Sequence, residues 1–152
     1  MDKSTVIEKL NEAIRHEWTG VAQYAQAGFV VGGLWREVYS TMFIASADES
    51  FVHAKLVGDK ISAMGGIPSV ERNQIQQSTC VKELLDMGLE FESKAVEIYT
   101  EAIAMSEELG DRALVVFLED ILKEEQDGVD HLTQIIRQHE PEEGNQAAAA
   151  TG

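Results

Sequence analysis

Four stretches of this 152-residue chain repeat apolar residues at helical spacing, and each stripe is interrupted midway by one polar or ionisable residue. Leu10 and Tyr24 stand seven residues either side of Glu17, Phe43 and Val57 either side of Ser50, Leu85 and Tyr99 either side of Glu92, and Leu118 and Leu132 either side of Glu125. Seven residues make almost two helical turns, so each interrupting residue lies on the seam that its neighbours bury. The spacing is mirrored: Glu17 and Ser50 are 33 residues apart, as are Glu92 and Glu125, and a tyrosine follows each leading glutamate by seven. Three carboxylates are thereby directed into one level of an apolar interior. Desolvating an isolated charge costs several kcal/mol or more, and converging like charges also repel. Something positive must answer them, or they must be protonated. His53, at the edge of the second stripe one turn beyond Ser50, leans toward the same interior.

Helix signals divide the chain accordingly. Thr5 with Glu8 reads as a capping box opening helix A, which runs from about Thr5 to Val31 before Gly32 and Gly33. Helix B starts near Leu34 or Trp35 and ends at Gly65-Gly66, with Pro68 close behind. Residues 69–78, rich in Ser, Asn and Gln, lack a period and read as a connection, with Ser78 or Thr79 capping helix C, which reaches Gly110. Helix D opens at Asp111 and closes before Pro141; residues 141–152 have no apolar face and read as a disordered tail. Short A–B and C–D turns make antiparallel pairs, whereas the B–C connection is longer than a tight turn needs. The expected fold is an all-α antiparallel four-helix bundle over residues 1–140 with one long B–C crossover.

Charge narrows the function. With 27 acidic against 12 basic residues the net charge is −15, which repels nucleic acid and anionic lipid. A single cysteine, Cys80, excludes an intrachain disulfide and a thiolate cluster. The N-terminus resembles no signal peptide and no stretch is long and apolar enough to span a bilayer, so the expected location is the cytoplasm.

A metal cation is the economical answer to the seam carboxylates, because inward glutamates from paired helices with Glu-x-x-His motifs build the dinuclear sites of such bundles. Any one of these glutamates taken alone is better read as reaching solvent or bonding a tyrosine hydroxyl; three at repeat-related positions favour metal. Tyr24 and Tyr99 read as core residues that hydrogen-bond the ligands rather than as ligands or redox groups.

The chain resembles the bacterioferritin branch of the ferritin-like superfamily. The likeness lies in Leu10-Asn11-Glu12, His16-Glu17, Gln23-Tyr24, His53-Ala54 and Gly65-Gly66-Ile67-Pro68, then Leu89-Glu90-Phe91-Glu92, Glu101-Ala102-Ile103 and Ile121-Leu122-Lys123-Glu124-Glu125. The resemblance spans about Val6 to Ile136 and implies Fe(II) oxidation by O2 at a dinuclear site, with storage of the ferric product. It implies Glu17, His53, Glu92 and Glu125 as both metal ligands and catalytic residues. Two ligands of the pattern are missing: Ser50 stands where helix B has a bridging glutamate, and Gly128 where helix D has a histidine. Glu49, Asp127 and His131 are the candidate substitutes, Glu49 the best, but ideal helices point all three off the seam, so they would need a helical bulge to reach the site. Phe51 replaces the methionine that would bind haem, so no haem is expected, and the alanine-rich tail lacks the family's fifth helix.

Three readings follow, in this order. The first is an iron-binding protein of storage or detoxification with a reduced ferroxidase site, holding one or two iron ions per chain and working as a homo-oligomer, at least a dimer; manganese or zinc suits the same donors. The second is a non-catalytic structural or partner subunit with protonated carboxyls. The third is an oxygenase-like enzyme acting on an organic substrate.

Overall fold

The computed structural model describes the backbone of residues 1–150 and the side chains of residues 1–137. Helix D does not close before Pro141 as the sequence suggests: its backbone runs on as helix to Ala150, while the side chains of residues 138–150 and all of residues 151–152 lie outside the described residues, and with them the reading of 141–152 as a disordered tail. Four helices account for nearly all of it: α1 (Lys3–Val30), α2 (Arg36–Ala63), α3 (Val81–Leu109) and α4 (Arg112–Ala150). The all-α four-helix bundle expected from the periodicity is the fold observed.

Helix starts differ from the sequence reading. Asp2, not Thr5, caps α1: its side chain accepts the Thr5 backbone N–H at 2.9 Å. Aspartate is at least as good a cap as threonine, and the earlier start adds two residues to the helix. At α3, Ser78 does not occupy the cap; Cys80 does, without a side-chain bond, while the Ser78 hydroxyl accepts the Cys80 N–H at 3.0 Å and donates to Glu83 at 2.5 Å. Asp111 does cap the start of α4, accepting the Leu114 N–H at 3.0 Å. Helix ends follow the glycines. Gly65 and Gly110 adopt φ of 89° and 78°, a left-handed conformation that only glycine takes without strain.

Two apolar clusters fill the bundle, one at each end. The first joins Val6, Leu10 and Ile14 of α1 to Val57 and Ile61 of α2, Ile98 and Tyr99 of α3, and Leu114, Leu118 and Ile121 of α4. The second joins Tyr24 and Val31 to Phe43, Leu84, Leu85, Phe91 and Leu132. Following each chain segment between them, α1 and α4 run from the first cluster to the second, and α2 and α3 run back. Because α2 and α3 are parallel, residues 64–80 must travel the length of the bundle to connect them.

That crossover is laced to α1 by polar side chains spaced along one stripe. Asn11 donates to the Ile67 carbonyl and accepts the Ser69 N–H; Trp18 Nε1 donates to the Ser69 carbonyl; Thr19 and Gln23 accept the N–H groups of Asn73 and Gln76. These bonds, at 2.8–3.2 Å, satisfy a strap that has no regular structure of its own. Among the described residues no helix is long and apolar enough to cross a membrane.

Candidate metal centre

Between the two apolar clusters lies the polar level that the repeat required. Glu17, His53 and Glu125 are 1%, 1% and 3% exposed, and Ser50 is 4% exposed. Glu92 is half-buried at the side of the same level. The stripes thus converge as expected, with Ser50 facing the interior.

His53 is the positive group that answers the carboxylates. Its Nδ1–H donates to Glu125 Oε1 at 2.8 Å and stands 3.5 Å from Glu17 Oε1, while its Nε2–H donates to Glu124 Oε2 at 2.5 Å and lies 3.9 Å from Glu49 Oε1. Burial alone would push the imidazole toward neutrality. The Glu125 and Glu17 carboxylates outweigh that cost and hold it up to about 11. Burial raises the carboxyls of Glu92 and Glu125. Glu92 rises to about 9, by desolvation and by its contact with Glu125, and Glu125 rises to about 7 by desolvation, partly offset by the bond from His53. In the metal-free protein the buried charge is therefore met by one imidazolium and by protonation of Glu92.

The two tyrosines bond to the two terminal glutamates in the same way. Tyr99 donates to Glu17 Oε1 and Tyr24 to Glu92 Oε1, both at 2.7 Å. Burial keeps both phenols protonated, well above their ordinary range.

Ser50 and Gly128 leave different kinds of space. A Cβ on Gly20 would fall 2.4 Å from Ser50 Oγ and 2.5 Å from Phe91 Cζ, so the bare backbone of α1 makes room for the serine and the ring together. Phe91 is itself fixed by stacking on His16 at 4.0 Å, and His16 Nε2 bonds the Phe91 carbonyl at 2.9 Å. On the other side, a Cβ at Gly128 would meet the Glu92 carboxyl at 3.0–3.3 Å. Position 128 therefore faces the Glu92 carboxyl and offers it no donor. A cleft of about 530 Å³ opens there, with Glu49, Glu92, Glu124, Asp127, Gly128 and His131 among its walls.

None of the candidate substitutes reaches the inner level. α2 is continuous α-helix through Glu49, without a bulge, and Glu49 approaches His53 by i, i+4 spacing on the outer nitrogen. Asp127 and His131 are exposed cleft residues and do not join the buried group. Glu124, which sequence reasoning quoted but assigned no role, contacts His53 directly. Its signal was present, because Glu124 precedes Glu125 as Glu49 precedes Ser50, at corresponding places in the two halves.

The donors present fit a divalent cation. Single atoms of Glu17, His53 and Glu125 come within 4.8 Å of one another, a buried set of two carboxylates and one imidazole. Glu17 Oε2 is the one buried side-chain oxygen or nitrogen among the described residues with no hydrogen-bond partner, and such an orphan is costly unless a ligand meets it.

Known proteins are related to this chain in sequence and in fold. A "Nutrient stress-induced DNA-binding protein" of Nostoc is 25% identical over 143 residues, covering 86% of this chain and 77% of its own length. A "Bacterioferritin" of Desulfovibrio desulfuricans is 26% identical over 126 residues, covering 82% and 70%. A solved ferritin-like, diiron-carboxylate protein from Bacillus anthracis superposes with a TM-score of 0.86 at 25% identity, over 90% of this chain and 99% of its own. The profile of the ferritin-like domain matches residues 7–140, and with its bundle topology and buried glutamate–histidine group the chain belongs to the ferritin family.

Proposed function

We propose that this protein is a bacterioferritin-like iron-binding protein of iron storage or detoxification, with one preferred Fe(II) site made by Glu17, His53 and Glu125. The observation that carries it is the orphaned Glu17 Oε2, buried beside His53 Nδ1 and the Glu125 carboxylate. Glu17, Glu125 and Nδ1 of His53 would hold the ion, Nδ1 as a donor once its proton is released to solvent, while Tyr99 keeps Glu17 oriented. Glu92, without a histidine at position 128 and without a bridging glutamate at position 50, holds a second ion weakly or not at all. Two cations roughly 3.5–4 Å apart need shared carboxylates to offset their repulsion, and here Glu125 alone is left to bridge.

The catalytic consequence follows from electron count. One Fe(II) yields one electron, whereas O2 requires two to reach hydrogen peroxide and four to reach water. A site with one tight ion binds its substrate better than it oxidises it, so ferroxidase activity is weakened more than binding.

Other features fit this reading. Phe51 has no donor atom for haem. Val38, Phe51, Val52 and Leu56 of α2 are 43–60% exposed, which supports burial in a homo-oligomer, at least a dimer. The DNA binding in the name of the Nostoc relative is not carried over, because a charge of −15 repels phosphate. The cleft walls combine the carboxylates of Glu49, Glu92, Glu124 and Asp127 with the apolar surfaces of Tyr24, Met42, Val52 and Leu132. One observation favours the non-catalytic reading instead: the imidazolium and the protonated Glu92 already neutralise much of the group without metal.

The deciding experiment is an anaerobic Fe(II) titration of wild type and His53→Ala, followed by admission of oxygen. The expected result is one tight ion per chain, slow oxidation, and loss of the tight ion in His53→Ala. Two tight ions with rapid oxidation, insensitive to that substitution, or no binding at all, would refute it.

A further inference from the structure

The inner donors do not line the cleft. Glu17, His53 and Glu125 are almost fully buried, so an ion arriving from solvent meets other groups first. His53 presents a second nitrogen to those groups. On that side Glu124 Oε2 lies 2.5 Å and Glu49 Oε1 3.9 Å from Nε2, and single atoms of Glu49, His53 and Glu124 again come within 4.8 Å of one another. The side chains of Glu49 and Glu124 are 51% and 56% exposed and both line the cleft. One buried imidazole thus stands between a buried carboxylate pair and an accessible one.

We propose that Glu49, Glu124 and Nε2 of His53 form a second divalent-cation site, which loads from the cleft and passes its ion to Glu17, Nδ1 of His53 and Glu125. The inference rests on the inner site proposed above. A neutral imidazole has one in-plane lone pair, on one nitrogen, and carries a proton on the other. With an ion on Nε2, the Nδ1–H donates to Glu125; with an ion on Nδ1, the Nε2–H donates to Glu124. Each state has its acceptor already in hydrogen-bond range. Simultaneous occupancy would require removing both ring protons, so the two sites fill alternately. The outer carboxylates are half in water and release an ion readily, whereas the inner set is dry and holds an oxygen with no other partner, so the inner set is the sink.

Zn(II), which is redox-inert, is delivered to the full-length protein from a chromogenic chelator in a stopped-flow mixer. Glu49→Gln with Glu124→Gln is expected to slow filling roughly tenfold or more, the scale on which loss of metal-supporting partners acts. Glu119→Gln with Asp120→Asn, which removes the same charge from exposed α4 positions outside the cleft, is expected to fill at the wild-type rate. With the inner donors blocked by Glu17→Gln and Glu125→Gln, one Zn(II) is expected to remain, held at least tenfold more weakly, and to vanish when the two outer substitutions are added. An anomalous scattering map of that blocked variant is expected to place the ion beside Nε2. Equal slowing by both charge-removing pairs, or wild-type filling by the outer pair, would overturn the loading role. A wild-type map with ions on both ring nitrogens of His53 at once would overturn the alternation. Failure of the inner site is distinguishable, because wild type would then bind no Zn(II) or bind it undiminished by Glu17→Gln with Glu125→Gln.

Discussion

Replacing Glu92 by glutamine removes a charge that the metal-free bundle suppresses. Burial, together with the contact to Glu125, raises this carboxyl from 4.5 to about 9, so it is neutral in the folded protein at pH 7 and ionised in the unfolded chain. A folded value above the unfolded one contributes stability that is complete below pH 4.5 and is lost as pH rises through about 9. From pH 4.5 to pH 7 that is 2.5 units at about 1.4 kcal/mol each, an upper figure of about 3.5 kcal/mol. Glutamine is neutral throughout and keeps the local bonds: its carbonyl accepts from Tyr24, as Glu92 Oε1 does at 2.7 Å, and its amide donates toward Glu125. The variant stripped of metal is therefore expected to exceed wild type in stability at pH 7 by up to about 3.5 kcal/mol, or roughly 7–14 °C in Tm for a chain of this size. The gain should shrink toward zero near pH 4.5. His53, held up to about 11, loses its own contribution between pH 6.5 and 11 in both proteins, and that loss cancels in the comparison. Urea unfolding followed by far-UV circular dichroism, with chelator and at fixed protein concentration from pH 4.5 to 8, measures it. A gain that is absent at pH 7, or equal at all pH values, would refute the protonation assigned to Glu92.

Restoring both missing donors, with Ser50→Glu and Gly128→His together, should raise tight divalent binding from one ion per chain to two; the atoms nearest a Cβ at position 128 belong to the flexible end of Glu92, and titration calorimetry with Mn(II) counts the ions. Gly20→Ala places a methyl 2.4 Å from Ser50 Oγ and 2.5 Å from Phe91 Cζ, so thermal unfolding should show a loss of about 1–3 kcal/mol or more. Tyr99→Phe removes the hydroxyl that donates to Glu17 Oε1 and should cost about 1–3 kcal/mol in the chelated protein. Saturating Zn(II) should recover part of that loss, because the ion meets the same carboxylate; equal losses with and without Zn(II) would count against Glu17 as a ligand.

Periodicity was enough to place the four helices and the level of their polar residues, because those depend on residues three, four and seven apart in one helix. It located Glu17, Ser50, Glu92 and Glu125 on a common seam and gave a reason for the long connection before α3. It did not decide helix starts, where Asp2 caps α1 by accepting the Thr5 N–H and so leaves Thr5 inside the helix. Nor could it decide what meets the carboxylates. Glu49 and Glu124 are off the seam by helical geometry, yet side chains several bonds long swing back to the outer nitrogen of His53, and only the spacing between α2 and α4 determines that reach. The same holds for charge. One histidine and several glutamates carry no fixed protonation as a sequence; His53 at about 11, Glu92 at about 9 and Glu125 at about 7 arise from desolvation and from partners on other helices. The loss of two ligands was legible in Ser50 and Gly128, but the way the space was reused was not: Phe91 and Gly20 close in on the serine, while a cleft opens beside the glycine, because packing between helices is a property of the assembled bundle and of no single segment.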